Sequence, residues 1–257
     1  MGPPIVNAGG QPPRAVRRLA DPAALARAGA EELARCAADA VRERGIFTVA
    51  LAGGSTPRRL YALLADEDAP FRALVPWQRT HAFFGDERHV LPDHPDSNFR
   101  MASEALLSRV PVAGVHRILG ELPDPRAAAA AYEADLRAFF GLPREGGPPP
   151  SLDLVLLGLG ADGHTASLFP GSPALDERRR WVVAPWVERL AVHRITLTLP
   201  LLGRARTIAF LVSGAEKAAA LARVLASPPT APMLPAALVA AEAEGSVLWL
   251  VDAGAAG

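Results

Sequence analysis

The chain has 257 residues, half of them hydrophobic, enough to bury a large core in one large α/β domain or two small ones; one domain over 1–257 is the expectation. Lys+Arg and Asp+Glu balance at 27 each, so no basic field marks the chain for nucleic acid or an anionic membrane, and any anionic ligand must be held by local charges. Cys36 is the only cysteine, which excludes internal disulfides and cysteine-cluster metal sites and suits a reducing cytoplasm.

No stretch approaches the roughly eighteen uninterrupted apolar residues of a membrane span, and the N-terminus lacks a secretory apolar core. A soluble cytoplasmic protein is expected. Residues 1–13, rich in Gly and Pro, read as a loose lead-in before a short strand at Ala15 to Leu19. Asp21-Pro22 is a helix start, a cap followed by a first-turn proline. Leu25, Leu33, Cys36 and Ala40 give that helix one apolar face through to Gly45.

Ile46 to Ala52 reads as a buried strand running into Gly53-Gly54-Ser55-Thr56-Pro57, after which Leu60, Leu63 and Leu64 mark a helix. Strand, glycine loop and helix start make an anion cradle. Exposed backbone N–H groups and the positive helix end favour a phosphate, and the Ser55 and Thr56 hydroxyls add donors. The same residues also suit an ordinary capped turn. The loop lacks the Gly-Lys-Ser/Thr of a nucleotide P-loop, which points to a sugar phosphate rather than ATP.

Thr80 to Phe84 is the next strand, ending in Gly85-Asp86-Glu87-Arg88-His89. Such charge runs are usually solvated surface, but four ionisable residues directly after a buried strand belong near the sheet's ligand edge. His89 and His94 match no strong metal-ligand spacing, so no metal is expected. Asp93 to Asn98 reads as a loop and cap, followed by a helix through Leu107, a short strand at Val115 to Leu119, and an amphipathic helix from Arg126 to Phe140. Tyr132, Leu136, Phe139 and Phe140 are its core positions. Gly141 to Pro150 is a Gly/Pro connection.

Leu152 to Leu157 is a continuous apolar run of strand length, the pattern of a strand covered on both faces. Gly158, Gly160 and Gly163 then turn the chain, and Asp162 and His164 sit on that turn at the strand's carboxyl end, where open α/β sheets bind ligands. This is the first candidate for an active site. The glycine spacing also fits a dinucleotide fingerprint, but Pro170 and Gly171 cut any following helix to about two turns, which argues against NAD.

Trp181 to Pro185 and Arg194 to Leu199 read as strands, the second with Ile195, Leu197 and Leu199 alternating with threonines. Thr207 to Val212 is a buried strand that leads through Ser213-Gly214 into a helix from Ala215 to Ala226, with Lys217 in its first turn. Lys217 is the only lysine. A first-turn cation opposes the helix dipole unless an anion sits beside it, so an anion is favoured over compositional chance. The proline-punctuated Pro228 to Pro235 and a last strand at Val247 to Val251 complete a βα alternation consistent with one parallel-rich sheet.

Together these stretches resemble the 6-phosphogluconolactonases of the glucosamine-6-phosphate isomerase/6-phosphogluconolactonase family. The resemblance extends from about Ala24 to Val251 and rests on AGGSTP (52–57), FFGDERHV (83–90), DSNF (96–99), LLGLGADGHTASLFP (156–170), RITLT (194–198) and SGAEK (213–217). It implies a modified Rossmann-like three-layer α/β fold with a mostly parallel central sheet flanked by helices. It further implies no metal or organic cofactor, and hydrolysis of 6-phosphogluconolactone to 6-phosphogluconate, the second step of the oxidative pentose phosphate pathway. By the same resemblance the loop of Gly53, Gly54, Ser55 and Thr56, with Arg194 and Lys217, holds the 6-phosphate. His164 activates water and Arg88 faces the lactone end. Asp86 and Asp162 fall where the related deaminases have functional aspartates.

Those deaminases have a phenylalanine-asparagine-glutamate-proline run after the histidine, whereas this chain has Ser167-Leu168-Phe169-Pro170. Phe169 stands where the deaminase has its catalytic glutamate, which favours the lactonase. Lactone hydrolysis needs a base for water, stabilisation of an oxyanion and an acid for the departing ring oxygen, and one histidine can serve as base and then acid. The rivals are a glucosamine-6-phosphate deaminase or sugar-phosphate isomerase on the same fold, and a non-catalytic sugar-phosphate sensor. The expected partner is a small sugar-phosphate lactone, with the chain a monomer or small homo-oligomer.

Overall fold

Apolar strands with no polar alternation need cover on both faces, and a parallel sheet between helices supplies it. The computed structural model describes residues 14–226 and 233–257. The expected lead-in at 1–13 and residues 228–232 of the proline-punctuated stretch lie outside the described residues. In chain order the elements are β1 (Arg14–Leu19), α1 (Pro22–Arg44), β2 (Phe47–Leu51), α2 (Ser55–Ala65), α3 (Phe71–Leu74), β3 (Thr80–Phe84), β4 (Asp86–Arg88) and α4 (Asn98–Ala102). Then come β5 (Gly114–Val115), α5 (Pro125–Phe139), β6 (Leu154–Gly158), β7 (Val182–Val183), β8 (Trp186–Val187) and β9 (Val192–Leu197). The chain continues through α6 (Leu199–Gly203), β10 (Thr207–Val212), α7 (Ala218–Leu225), α8 (Pro235–Glu242), β11 (Ser246–Asp252) and α9 (Ala253–Ala256).

Seven strands form a central sheet in the order β1-β11-β10-β6-β2-β3-β5, parallel at every pairing. With its flanking helices this is the expected three-layer α/β fold. From β2 the chain builds outward to β3 and β5, while β6, β10 and β11 build the other way. The topological switch point therefore lies between β2 and β6, and ligands of open α/β sheets bind outside the carboxyl ends of the strands at such a point. No described helix is long and apolar enough to cross a membrane.

Local chemistry explains the boundaries. Asp21 caps α1 by accepting from the Ala24 N–H at 2.7 Å, and Gly45 ends it in the left-handed conformation. Cys36 is buried in that helix, and burial pushes its thiol up to about 12, so it packs as an inert hydrophobe. Tyr132 and Leu136 of α5 are buried, while Phe139 and Phe140 pack half-buried against the core. Phe139 meets Phe83 edge-on with ring centroids 5.2 Å apart.

The structure changes some of these expectations and adds to others. The charge run after β3 forms β4, and β4 pairs antiparallel with β9 in a second, smaller sheet that also holds β7, with β8 against β9. The strand carrying Arg194 therefore lies outside the parallel sheet, and Thr196 is as fully buried as Ile195 and Leu197, so the alternation with threonine marks no solvent face. After His164 the chain turns, with an isolated bridge between Thr165 and Leu168, and no long helix of the kind a dinucleotide site needs follows directly. The strand expected over Val115 to Leu119 shrinks to β5, and Lys217 ends a 3-10 turn (Ala215–Lys217) ahead of α7.

The two tyrosines close the ends of two neighbouring strands, β2 at the switch point and β3 next to it. Tyr61 Oη accepts from the Ala52 N–H and donates to the Ala52 carbonyl, both at 2.9 Å. Tyr132 Oη does the same for Phe84, at 2.8 and 3.0 Å. Both rings are fully buried, which pushes each phenol pKa up and keeps the hydroxyl protonated. Tyr61→Phe and Tyr132→Phe each orphan a buried N–H and C=O, at an expected loss of about 1–3 kcal/mol. Urea denaturation should show a lower midpoint with an unchanged slope for each, and near-zero losses would mean the strand ends are held by other contacts.

Candidate active site

The carboxyl ends of β2 and β6 open into a cleft lined by Ala52, Gly53 and Gly54 on one side and by Leu156 to Gly160 with His164 on the other. Gly85, Asp86, Arg88, Asn98 and Lys217 close it. The sequence-predicted residues Gly53, Gly54, Asp86, Arg88, His164 and Lys217 thus share one cleft, although the chain between the first and the last spans the whole central part of the sequence.

His164 is held from behind. Its Nδ1 lies 2.5 Å from Asp162 Oδ1, and its backbone N–H donates to the same oxygen at 3.1 Å. With Nδ1 committed, Nε2 is the nitrogen left to exchange a proton. Burial alone would push Asp162 up, but the His164 hydrogen bonds, the charge on that ring and Arg189 outweigh it and hold the carboxyl below its ordinary range. A depressed carboxyl contributes stability above its unfolded-state pKa and loses it only as pH falls through the lower folded value. The pair therefore persists through neutral pH. Asp162 is not itself a wall of the cleft; it touches the cleft only by way of the imidazole it holds.

Close approach explains one glycine on each side. A Cβ at Gly160 would overlap His164 Nδ1 and Cε1, and one at Gly53 would overlap the Asn98 amide. Gly54 has φ 103° and precedes α2, whose first residues are Ser55 and Thr56. Ser55 is exposed and Thr56 half-buried, and neither hydroxyl lines the cleft. The helix N-terminus beside Gly54 still offers amides to an anion.

The charge run is not solvated surface. Asp86 and Glu87 are 8% and 2% exposed. Asp86 Oδ2 accepts from Ser167 Oγ at 2.6 Å and Oδ1 from Asn98 Nδ2 at 3.1 Å. Glu87 accepts from the Arg88, Asn98 and Phe99 N–H groups and from Ser97 Oγ, all within 3.0 Å. Burial pushes its pKa up against those four donors. Arg88 donates to the Asp96 carbonyl through Nη1 at 2.6 Å, while its Nε is buried without a partner.

Arg194 faces Arg88 across the β4/β9 ladder, and its own Nε and Nη1 are buried and unpartnered. Burial and then the Arg88 charge push the Arg194 pKa down. Two adjacent guanidinium groups with orphaned donors make a receptor for an anion. Arg194 adjoins the cleft through Arg88 rather than lining it. Lys217 is a quarter exposed, and its nearest carboxylate, Glu216, is 3.8 Å away.

Asn98, Ser167, Thr165 and Arg189 were not singled out from the sequence. Asn98 and Ser167 had a signal, since both stand inside motif blocks; Arg189 had none. His89 binds the Leu122 carbonyl at 2.7 Å and His94 accepts from the Asp96 N–H at 3.1 Å, so both serve local backbone. Among the described residues no group of three or more His, Cys, Asp or Glu is set to hold a metal ion.

The model of a family described as glucosamine-6-phosphate isomerases/6-phosphogluconolactonase matches residues 20–249. A 6-phosphogluconolactonase of Synechocystis sp. is 44% identical over 215 residues, which is 83% of this chain and 85% of the relative. One of Nostoc sp. is 42% identical over 218 residues, or 84% and 86%. Among solved structures, 6-phosphogluconolactonase from Trypanosoma brucei superposes with a TM-score of 0.82 at 33% identity, covering 96% of this chain and 98% of its own.

Gly160→Ala tests the packing behind His164. The added methyl must displace the imidazole or its carboxylate, and misplacement by about 1 Å costs on the order of 100-fold in turnover. The expected outcome is a folded protein with strongly reduced kcat on its substrate. Unchanged turnover would show that the ring's position behind Gly160 does not matter.

Proposed function

The chain belongs to the glucosamine-6-phosphate isomerase/6-phosphogluconolactonase family, and from that premise we propose that it hydrolyses 6-phospho-D-glucono-1,5-lactone to 6-phospho-D-gluconate, the second step of the oxidative pentose phosphate pathway. The observation that carries this reading is His164, fastened to Asp162 through Nδ1 at 2.5 Å and sharing its cleft with Arg88 and Lys217.

His164 Nε2 takes a proton from water as the oxygen attacks the lactone carbonyl. Asp162 stabilises the imidazolium that forms. Arg88, with its orphaned Nε, stands to meet the developing oxyanion. As the ring C–O bond breaks, the imidazolium returns its proton to the departing ring oxygen, which leaves a hydroxyl and a carboxylic acid; the acid then loses its proton to solvent and becomes the carboxylate. The remote phosphate supplies binding energy for orientation. Lys217, Arg194 and the backbone amides of the loop from Gly53 to Thr56 are its proposed holders. Asp86, tied to Ser167 and Asn98, fixes the floor between them.

The position of Phe169 separates this reading from a deaminase. Its ring stacks on His164 with centroids 4.4 Å apart, so an apolar face occupies the place where the deaminase resemblance calls for a carboxylate. The lone, buried Cys36 agrees with activity in the cytoplasm. The deciding experiment offers purified protein fresh lactone and, separately, glucosamine 6-phosphate. Acid release from the lactone above the spontaneous rate is expected, with no ammonia; ammonia release would make it a deaminase, and binding without turnover a sensor.

Lys217→Ala and Arg194→Ala should chiefly raise KM, because each removes a charge-assisted contact present in both ground and transition states. Losses of about 1.5–3 kcal/mol per contact are expected. The preference for the phosphorylated over the unphosphorylated lactone should shrink in step. Since Arg194 sits beside Arg88, the comparison with Arg88→Ala is informative: if only the Arg88 variant loses that preference, the phosphate lies on Arg88.

A further inference from the structure

We infer that Arg189 is a positioning residue for His164, an inference that rests on reading the cleft as a His164-dependent hydrolytic site. Arg189 belongs to the 3-10 turn (Glu188–Leu190) that joins β8 to β9, on the smaller sheet and well away in sequence from the His164 turn. Its Nη2 lies 3.1 Å from Asp162 Oδ2, while the other oxygen of that carboxylate holds His164. Its guanidinium carbon sits 4.9 Å from the centre of the Phe169 ring, and the same ring stacks on His164.

Asp162 and Phe169 therefore each touch both Arg189 and His164, and the four side chains close a ring of contacts around the imidazole. The carboxylate fixes the ring's Nδ1, and the phenyl fixes its plane. Arg189 ties the two together. An exposed ion pair of this kind contributes little to global stability, and Arg189 is 56% exposed. Its effect should therefore appear in the geometry of its partners rather than in the melting temperature.

The backbone on both sides of the contact is strained in the same sense. Among the described residues only Ala166 and Ala191 adopt positive φ without being glycine, each at 48°. Ala166 follows His164 by two residues and lines the cleft, while Ala191 ends the turn that presents Arg189. Such conformations persist where surrounding contacts over-determine them. The contacts of Arg189 with Asp162 and Phe169 join these two turns.

Two readouts test this. In the ligand-free wild type the His164 Nδ1 proton, hydrogen-bonded to Asp162, should give a resolved downfield proton resonance. Arg189→Ala should broaden or lose it, with a melting temperature close to wild type. On the lactone the same variant should lose kcat by roughly 10- to 100-fold with KM nearly unchanged, since the residue orients a catalytic group and does not bind substrate.

Arg189→Lys restores the charge on Asp162 without the flat stack, and Phe169→Leu keeps the ion pair but removes the stack. Both should fall between wild type and Arg189→Ala, and both remain informative if the alanine variant does not fold. An unaltered resonance and unaltered kcat in Arg189→Ala would overturn the inference. A raised KM with unaltered kcat would also overturn it, by making Arg189 a substrate contact. The resonance needs no turnover, so an inactive wild type that still shows it, lost in Arg189→Ala, would sink the hydrolase reading and leave the positioning geometry standing.

Discussion

Strands of a parallel sheet end in backbone groups that no neighbouring strand can satisfy, and the way this chain satisfies them places the cleft. Beyond β2 a buried tyrosine hydroxyl answers both polar groups of Ala52, and at the end of β3 another answers those of Phe84. At the end of β6 the chain answers itself. Thr165 Oγ1 donates to the Gly158 carbonyl at 2.8 Å, and the Gly160 N–H donates to the His164 carbonyl at 2.8 Å. The turn carrying His164 is thereby fastened to the strand that delivers it. With both sides of the switch point closed by such bonds, the space between them stays open to a ligand.

Around that space, buried polar groups hold one another in place. Glu87 points its carboxylate at the first amides of α4 and at Ser97, so it binds the helix that supplies Asn98 to the strand that supplies Asp86 and Arg88. Asn98 in turn spans to both the backbone and the side chain of Asp86. A network of this kind is rigid because every broken bond leaves a buried group unpaired. The exceptions are informative. The orphaned donors of Arg88 and Arg194 are positive and adjacent, and an arriving anion would satisfy both.

What could be read from the sequence was whatever a single segment carries. The run Leu152 to Leu157 and its glycines announced a covered strand and a turn, and the lone Lys217 raised the expectation of an anion; both segments meet in the cleft. The pairing of β4 with β9 was hidden, because antiparallel partners more than a hundred residues apart leave no local signature. Asn98 looked like an ordinary helix start, since its bonds to Asp86 depend on where β4 lies. Arg189 was one arginine among many. Its meaning comes from a turn on a different sheet reaching Asp162 and Phe169 together, which no spacing in the chain encodes.

The account stands or falls on His164 as the group that moves the proton. The most direct measurement is single-turnover hydrolysis of 6-phosphogluconolactone by His164→Asn, corrected for spontaneous hydrolysis, with the melting temperature and the affinity for 6-phosphogluconate taken on the same preparation. Asparagine can hold a water but cannot accept its proton. A folded variant that binds product nearly as wild type and turns over roughly 100-fold more slowly, or worse, is the predicted result. A variant with a lowered melting temperature and near-wild-type turnover per folded molecule would contradict it, leaving His164 as packing for the glycine turn and the base to be sought at Asp86 or Asp162.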